Sequence, residues 1–398
     1  MSKSKITPDS ATAASRSQIL AKANRIVIKL GTAVLMKDNG IALSRFYSFV
    51  EGIAGLVKSG KEVLLVTSGA IGLGSRTLDL KTKPKLLPLK QACAAVGQGR
   101  LMALYSDAFE KMDVIAAQVL LTEEDFSNRR RYLNLRSTIA QLLELNVLPV
   151  INENDTVSTA ELELLKGEDI KVNFGDNDKL SALVASKIDA DLLLILTDVE
   201  GLYTADPRSG PEAKLIGLVE EFTPEIEALA DAASKSGDGR GGMKTKLAAA
   251  KIATQSGCAT IIAGGKIENA ISRLFAGEEL GTLFLPHLAF SGKQRWIAFA
   301  TTVKATIVIN DGAHDALVKR KASLLPAGVV EVRGSFERGD VVSVATSDGK
   351  DFARGIVNYS SDETKRVSGM HSEALNDLLE SRNYDALITR DNIAFLEH

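Results

Sequence analysis

The stretch VLPVINEND, residues 147–155, joins a strand-like apolar run to an acidic, asparagine-rich turn. A second turn of the same kind, GDND at residues 175–178, stands before a helix-like apolar run at residues 180–184. Short carboxamides and carboxylates at a strand end favour turns, and they present directed donors and acceptors to a small polar ligand. The two turns therefore predict a pocket for a small polar substrate.

Similar apolar runs recur along the chain and alternate with longer amphipathic segments, which is the pattern of parallel βα units. The strand-like runs are residues 25–30, 62–67, 114–120, 147–151, 192–197 and 260–263. The helix-like segments between them include residues 44–59, 89–109, 131–145 and 243–256. Because the strands are apolar almost throughout, we expect both faces of the sheet to be buried. The predicted fold class is α/β, with an open, mainly parallel sheet sandwiched by helices.

Polar or glycine-rich residues follow most of these strands, at the edge where such a sheet binds its ligands. KLGT at residues 29–32 ends the first strand, TSGAIG at 67–72 the second, and TDVEG at 197–201 the fifth. A strand followed by small residues and a helix start binds anions well, because free amide groups and the helix dipole face the ligand. Phosphate is the obvious candidate anion.

A glycine-rich loop, GDGRGGMKTK at residues 237–246, opens a further helix. Its glycines let backbone amides approach phosphate oxygens closely, and its lysines supply positive charge. The loop lacks the order GxxxxGK[ST], and no GxGxxG follows the first strand. Alone it could be a flexible surface hairpin. Together with Lys29 and the other glycine turns, it predicts a nucleotide-binding fold of another kind.

Composition narrows the class of protein. The chain has 398 residues, which is long enough for two or three domains. Its 48 Lys or Arg nearly balance its 50 Asp or Glu, so no strong net charge draws it to nucleic acid or membrane. Cys93 and Cys258 are far apart and are expected to be reduced, buried thiols. No run approaches the roughly 20 apolar residues of a membrane span, and residues 1–25 lack an apolar secretion core. The expected location is cytoplasmic.

The C-terminal part has a different character. Short alternating strands at residues 306–309, 329–332, 341–345 and 353–358, punctuated by Gly and Pro, predict a small, mostly β, barrel-like module. The expected domains are an N-terminal tail at 1–24 that becomes helical near 18–23, an α/β domain at 25–290, a helical connector at 291–302 and the β module at 303–390.

The α/β region resembles the amino acid kinase family, and the β module resembles the PUA domain. The stretches that match the kinase family, in its order, are IKLGT 28–32, VTSGA 66–70, VINEND 150–155, GDND 175–178, LTD 196–198, GLYTADPR 201–208 and GGM 241–243. Those that match the PUA domain are SLLPAG 323–328 and FERGDVV 336–342. Several short motifs in order are far more specific than any one of them.

The resemblance implies an enzyme that transfers the γ-phosphoryl group of ATP to the side-chain carboxylate of L-glutamate, giving an acyl phosphate and ADP at the first step of proline biosynthesis. Mg²⁺ would enter as MgATP, held mostly by phosphate oxygens and water, and no metal site of the protein's own is expected. Kinases of the same fold act on N-acetylglutamate, aspartate or carbamate. The two acidic turns and the C-terminal module favour glutamate.

The resemblance also assigns roles to residues. Lys29 and Lys246 would contact the transferring phosphoryl group from different sides, and Asp178 would orient the lysines or the substrate. On glutamate, Asp155 would pair with the α-ammonium group, while Ser68 and Asn177 would bind a carboxylate. Gly69 would donate a backbone hydrogen bond. The residues expected at the nucleotide are Lys29, Gly31, Thr197, Asp198, Arg240, Gly241, Gly242, Met243, Lys244, Thr245 and Lys246.

Plainer interpretations stay open for some of these residues. Lysines are usually solvated at the surface, and an aspartate in either acidic turn could cap the next helix. Arg240 and Lys244 stand where relatives usually carry small or hydroxyl residues. They suggest tighter phosphate binding, a hypothesis that an unchanged ATP KM in Arg240→Thr would contradict. Residues 156–174 form a longer segment than expected, either a lid or an oligomer contact, and the register of Lys171 is open.

Partners follow from the resemblance as well. Proline resembles a cyclised glutamate and is the expected feedback inhibitor. Transfer of the unstable product to glutamyl phosphate reductase is a further expectation. A homo-oligomer is also expected. PUA domains elsewhere bind RNA, yet residues 303–398 hold 12 Lys or Arg against 15 Asp or Glu, a weak basis for RNA binding. An RNA-binding protein with a regulatory kinase-like half is the rival hypothesis. Retention of Lys29, Asp155, Asp178 and Lys246 argues against it.

Overall fold

A computed structural model of the chain describes residues 10–37, 40–122, 124–158, 177–207, 212–234, 242–286, 297–298, 303, 305–370 and 386–396. The chain divides into two compact units, Met1–Ala289 and Phe290–His398. Among the described residues, none of the helices has the length and apolar character needed to cross a membrane.

The N-terminal unit is built on a mainly parallel sheet. The strands of its described part are β1 (Arg25–Leu30), β2 (Met36–Lys37), β3 (Gly40–Ile41), β4 (Glu62–Val66), β5 (Ile115–Leu121), β6 (Val147–Glu153), β7 (Leu192–Thr197), β8 (Leu218–Val219), β9 (Ala259–Gly264) and β10 (Thr282–Phe284). The sheet order is β5-β6-β4-β1-β7-β9-β10-β8. Neighbouring strands pair in parallel except β9 and β10, which are antiparallel. Strands β2 and β3 form a separate antiparallel ribbon.

Helices cover this sheet. In the described part they are α1 (Ser10–Lys22), α2 (Thr32–Leu35), α3 (Leu43–Lys58), α4 (Ala70–Thr77), α5 (Leu87–Glu110), α6 (Glu124–Ser127), α7 (Arg129–Glu144), α8 (Asn177–Lys187), α9 (Pro224–Ser234), α10 (Met243–Gln255) and α11 (Ala270–Phe275). In α3, Phe46, Phe49, Val50 and Ile53 recur at helical spacing and are all buried. Burying a side chain of this size contributes about 1.5–3 kcal/mol.

The α/β fold class predicted from the sequence is confirmed. Strands β7 and β9 are buried along their whole length, as expected for a sheet covered on both faces. Cys93 and Cys258 are free and buried, as predicted. Each predicted strand run, and each of the four predicted helical segments from residue 44 to residue 256, matches a described element to within two residues at each end, which is the usual uncertainty of element boundaries. The short strands β2, β3, β8 and β10 were not predicted.

Two local predictions were wrong. The N-terminal helix was expected only near residues 18–23, but α1 begins at Ser10, and its Leu20 and Arg16 are buried. Arg16 Nη2 donates to the carbonyl oxygen of Leu280, so residues 10–22 pack onto the unit rather than forming a free tail. The helix after the second acidic turn was expected to follow Asp178, but it begins at Asn177. Both residues therefore lie in the first turn of α8.

Helices α4 and α5 touch backbone to backbone through two glycines. A Cβ atom built on Gly74 would lie 1.7 Å from the carbonyl oxygen of Cys93, and one on Gly97 would lie 1.8 Å from that of Ala70. No side chain fits at those distances. The contact matters for the site because α4 begins two residues after Ser68, while Gln98 follows Gly97 on α5.

The C-terminal unit contains a five-stranded mixed sheet with the order β12-β11-β13-β14-β15. Its described elements are β11 (Ala305–Ile309), α12 (Asp311–Arg320), a 3₁₀ turn at Pro326–Gly328, β12 (Val329–Gly334), β13 (Val341–Ala345), β14 (Asp351–Ile356), α13 (Ser361–Val367), a second 3₁₀ turn at Arg390–Asn392 and β15 (Ile393–Phe395). The predicted connector at 291–302 lies outside the described residues except for Ile297 and Ala298, which are helical.

Candidate active site

The parallel strands bring their carboxyl ends to one edge of the sheet, and the candidate residues of the N-terminal unit lie along it. Lys29 is the penultimate residue of β1, beside Val66 of β4 and Ile195 of β7 in the strand register. Ser68 follows β4, and Thr197 ends β7. The N-termini of α8 and α10 meet the same edge, because Asp178 of α8 contacts side chains of both β1 and α10.

A buried cluster of charges joins these elements. Lys29 Nζ lies 2.5 Å from Oδ1 of Asp178, and Lys246 Nζ lies 3.1 Å from Oδ2 of the same carboxylate. The side chains are only 7%, 6% and 0% exposed for Lys29, Lys246 and Asp178. The hydroxyl of Thr245 also donates to Oδ2 at 3.1 Å. Among the described side chains, two ammonium groups share this one carboxylate, and ammonium groups at such a place attract an anion.

The environment of Asp178 determines its charge. Burial by itself raises the pKa of this carboxyl, but the ammonium groups of Lys29 and Lys246, through their charges and hydrogen bonds, outweigh burial and hold the pKa below its ordinary value of 3.8. Asp178 is therefore ionised at neutral pH and accepts hydrogen bonds only. It cannot supply a proton to a reacting group, but it can fix the positions of both lysines.

A second polar network lies beside this cluster and consists of uncharged side chains. Asn177 Nδ2 donates to Ser68 Oγ at 2.7 Å, to the carbonyl oxygen of Thr67 at 2.7 Å and to Asn152 Oδ1 at 3.1 Å. Asn152 Nδ2 in turn donates to Gln98 Oε1 at 2.8 Å. The amide group of Asn177 donates to the oxygen of Asn152, and the amide group of Asn152 donates to the oxygen of Gln98. All bonds in this chain therefore run in one direction.

The backbone under Ser68 is held from the other side by a buried pair of hydroxyls. Thr67 Oγ1 and Tyr105 Oη are 2.8 Å apart, and both side chains are fully buried. Burial raises the pKa of Tyr105 and outweighs the hydrogen bond from Thr67, which lowers it. The phenol is therefore neutral under all ordinary conditions, and it fixes the loop that carries Ser68.

The glycines after β1 and β4 differ in what they require. Gly69 has φ of +110°, a conformation that favours glycine, and a Cβ there would meet only Met36 at 4.0 Å. At Gly31 a Cβ would lie 3.4 Å from Lys29 Nζ, so the small residue leaves room beside the ammonium group. The Gly31 amide donates to the carbonyl oxygen of Leu196 at 3.3 Å, and its bond to phosphate stays a prediction.

The remaining predicted residues that the structure describes are given by their position and by their local hydrogen bonds. Asp155 is half-buried and lies in a turn. The turn is closed by a hydrogen bond of 3.1 Å from the amide of Val157 to the carbonyl oxygen of Asn154. Thr197 donates to the exposed Asp198 at 3.0 Å. Gly242 is the N-cap of α10, whose first turn contains Met243 and the exposed Lys244. Arg240, Gly241, Lys171 and residues 159–174 lie outside the described residues.

Sequence reasoning missed part of the site. Asn152 was identified only as a turn residue, and Gln98 was not singled out at all. Gln98 lies in the middle of the long helix α5, where a glutamine gives no signal in one sequence. Thr245 was expected at the nucleotide, but its contact with Asp178 depends on how α10 meets α8, which sequence spacing does not show.

Comparison with known proteins agrees with this architecture. The amino acid kinase family model matches residues 24–264, and the PUA domain model matches residues 305–379. The chain belongs to the amino acid kinase family and carries a PUA domain.

Several curated relatives that match nearly the full chain are glutamate 5-kinases. The glutamate 5-kinase of Caldanaerobacter subterraneus subsp. tengcongensis is 47% identical over 94% of this chain and 98% of its own length. That of Citrifermentans bemidjiense is 46% identical over 96% of this chain and 100% of its own length. That of Methanococcoides burtonii is 43% identical over 96% of this chain and 99% of its own length.

Proposed function

We propose that the protein is a glutamate 5-kinase, which transfers the γ-phosphoryl group of ATP to the side-chain carboxylate of L-glutamate. The products are L-glutamyl 5-phosphate and ADP, at the first step of proline biosynthesis from glutamate. The observation that carries the proposal is the buried Lys29–Asp178–Lys246 cluster at the carboxyl edge of the sheet. Similarity to glutamate 5-kinases along 94% or more of the chain supports the choice of acceptor.

The reaction brings two anions together, so its main demands are positioning and charge neutralisation. A carboxylate oxygen of glutamate forms the new bond to the γ-phosphorus, and the bond from that phosphorus to the β,γ-bridging oxygen breaks, releasing ADP. The acceptor is already ionised near pH 7, and no proton has to be removed. This chemistry needs no general base, which fits an Asp178 that is committed to two lysines.

The lysines are the proposed catalytic groups. Lys29 and Lys246 would contact the transferring phosphoryl group from β1 and from α10, with Asp178 keeping the two ammonium groups apart at its two oxygens. Groups fixed before the substrate arrives stabilise developing charge without reorganisation. The two ammonium groups would attract the negative charge of an arriving phosphoryl group.

The uncharged network is the proposed glutamate site. Ser68 Oγ accepts a hydrogen bond from Asn177, which leaves the hydroxyl hydrogen of Ser68 to donate to a carboxylate. The amide group of Asn177 is already shared among protein acceptors, so Asn177 would act on the substrate mainly by orienting Ser68. Asp155 would pair with the α-ammonium group of glutamate.

The nucleotide would lie towards β7 and α10. Thr197 and Asp198 would line its site, residues 240–246 would cover the phosphates, and Gly69 would donate a backbone hydrogen bond. The Gly31 amide would exchange its long bond to the carbonyl oxygen of Leu196 for one to a phosphate oxygen. Amide groups in the first turn of α10 would face the phosphates. The described residues contain no group of three or more His, Cys, Asp or Glu side chains placed to hold a metal ion. Mg²⁺ would enter on ATP, held by phosphate oxygens and water.

Regulation and partners form a second layer of the proposal. Proline would compete in the glutamate pocket, the acyl phosphate would pass to glutamyl phosphate reductase, and the protein would form a homo-oligomer. RNA binding by the PUA domain stays a prediction with weak support, since residues 303–398 carry 12 basic against 15 acidic side chains.

The first experiment measures ADP release with MgATP and L-glutamate, with N-acetylglutamate, aspartate and carbamate alongside, and traps the acyl phosphate with hydroxylamine. We expect hydroxamate that depends on glutamate and that is lost in Lys29→Ala. Turnover with another acid but not glutamate would keep the fold and overturn the substrate. Silence with all four acids, together with a tight RNA complex at physiological salt, would favour the regulatory RNA-binding hypothesis.

A further inference from the structure

Gln98 stands at the far end of the uncharged network, while at the near end the carbonyl oxygen of Thr67, which can only accept, holds the amide group of Asn177. Gln98 Oε1 accepts from Asn152 Nδ2 at 2.8 Å. That bond leaves the oxygen of Asn152 to face Asn177, which donates to it at 3.1 Å. A carboxamide turned by 180° would place its amide group against another amide group, so one fixed member decides the orientation of the next.

Asn152 cannot take its orientation from water. The residue is only 2% exposed, and its side chain bonds to α5 on one side and to α8 on the other. A buried amide group without an acceptor costs its full desolvation free energy, because no hydrogen bond offsets the loss of water. Removing the oxygen of Gln98 therefore gives Asn152 a reason to turn over, and that rotation would set two amide groups against each other at Asn177.

The position of Gln98 is itself fixed by the close contact of α4 and α5. The preceding residue, Gly97, lies against the carbonyl oxygen of Ala70 so closely that no Cβ fits. Ala70 begins α4, directly after Ser68 and Gly69. Both ends of the network, Gln98 and Ser68, are thus attached to one rigid backbone contact, and the distance between them is set before any substrate binds.

We propose that Gln98 is a positioning residue for the amino-acid substrate, acting through Asn152 and Asn177 to leave the Ser68 hydroxyl hydrogen free for the substrate carboxylate. The inference rests on the proposed function, because it takes the ligand of Ser68 to be the acid that is phosphorylated. Gln98 acts at a distance from ATP, so its effect is confined to the acceptor side of the reaction.

The test compares two variants of the full-length protein in the hydroxamate assay. Gln98→Met keeps the length of the side chain and removes the acceptor, and we expect the KM for glutamate to rise about tenfold, the size expected for one lost hydrogen bond. Gln98→Glu keeps an oxygen that accepts from Asn152, and we expect its KM for glutamate to stay within about threefold of the wild type. The KM for ATP should be unchanged in both. Gln141→Met makes the same chemical change at an exposed pair with Glu144 on α7 and should change neither KM.

Each other outcome has a distinct meaning. An unchanged KM for glutamate in Gln98→Met would overturn the proposal, and so would a parallel rise of both KM values with a lower melting temperature, which marks a purely structural role. A Gln98→Glu variant worse than Gln98→Met would mean that the side chain at position 98 faces the substrate, where a carboxylate repels the acid, and would also overturn the proposal. If the wild type uses another of the four acids, the proposed function fails, and the same comparison with that acid still decides the role of Gln98. If the wild type uses none of them, both proposals fail.

Discussion

Lys29 and Lys246 bind different oxygens of one buried carboxylate, that of Asp178, although one lysine lies near the end of a strand and the other in the first turn of a helix. Two ammonium groups would repel each other in a site this poorly exposed to water. Asp178 is the counterion that lets both remain there. The stability of the site and its readiness to bind an anion therefore depend on the same residue.

We expect Asp178→Asn to lower both activity and stability. The change leaves two buried ammonium groups without their shared counterion, and breaking a buried ion pair in this way costs about 3–5 kcal/mol. Glutamate-dependent turnover should fall by at least about 100-fold, the order of effect seen when a group that organises charge in a site is removed. Hydroxamate kinetics and differential scanning calorimetry measure the two effects.

Asp189→Asn is the matched control for this change. Asp189 pairs with Arg136 at 2.5 Å, but the two side chains are 33% and 42% exposed, and partly exposed pairs contribute only about 0–1 kcal/mol. Near-wild-type turnover and melting temperature are expected. If the two variants behaved alike, Asp178 would have no special part in the site.

The pH dependence of stability follows from the lowered pKa of Asp178. A group whose pKa is lowered by folding stabilises the folded state above its unfolded pKa and loses that contribution as the pH falls through its folded pKa. For Asp178 the loss begins below its ordinary value of 3.8. The difference in melting temperature between the wild type and Asp178→Asn should be constant between about pH 5 and about pH 8 and should shrink below about pH 4. A difference that shrinks already near pH 6 would contradict the lowered pKa.

Ser68→Ala should weaken glutamate binding selectively. The variant loses the hydroxyl that would donate to the substrate and the acceptor that Asn177 uses at 2.7 Å. We expect the KM for glutamate to rise about tenfold or more, with the KM for ATP unchanged. Ser48→Ala is the control, because it removes a hydrogen bond from Ser48 on α3 to Asn269 in the loop between β9 and α11. Both KM values of this variant should match the wild type. An ATP effect as large as the glutamate effect would refute the assignment of Ser68.

Gly97→Ala should destabilise the N-terminal unit strongly. The added methyl would lie 1.8 Å from the carbonyl oxygen of Ala70, and helices α4 and α5 would have to separate, at a cost of about 1–3 kcal/mol or more. Gly99→Ala is the matched control on the same helix, since a Cβ there meets nothing within 4 Å. Alanine forms helices better than glycine by about 1 kcal/mol, so Gly99→Ala should be neutral or stabilising. Thermal melts of the two variants decide the matter, and equal melting temperatures would contradict the close contact.

The sequence alone determined the α/β fold class, the course of most strands and the position of Lys29, because strand burial and strand-end chemistry are written in local patterns of two to six residues. It also placed Ser68, Asn177 and Asp178 among the candidate residues. Their arrangement was not available, because contact between Asp178 and Lys246 depends on how two helices pack against one sheet.

Tertiary structure decided the parts that rely on distance rather than on pattern. Gln98 and Thr245 enter the polar networks only through the approach of α5 and α10 to their neighbours. Helix α1 packs onto the N-terminal unit because Leu20 and Arg16 are buried there. A weakly amphipathic segment rich in Ser and Ala does not predict this packing. Local sequence sets what a segment can form, while packing sets which polar atoms come within hydrogen-bond reach, and the chemistry of this site depends on the second.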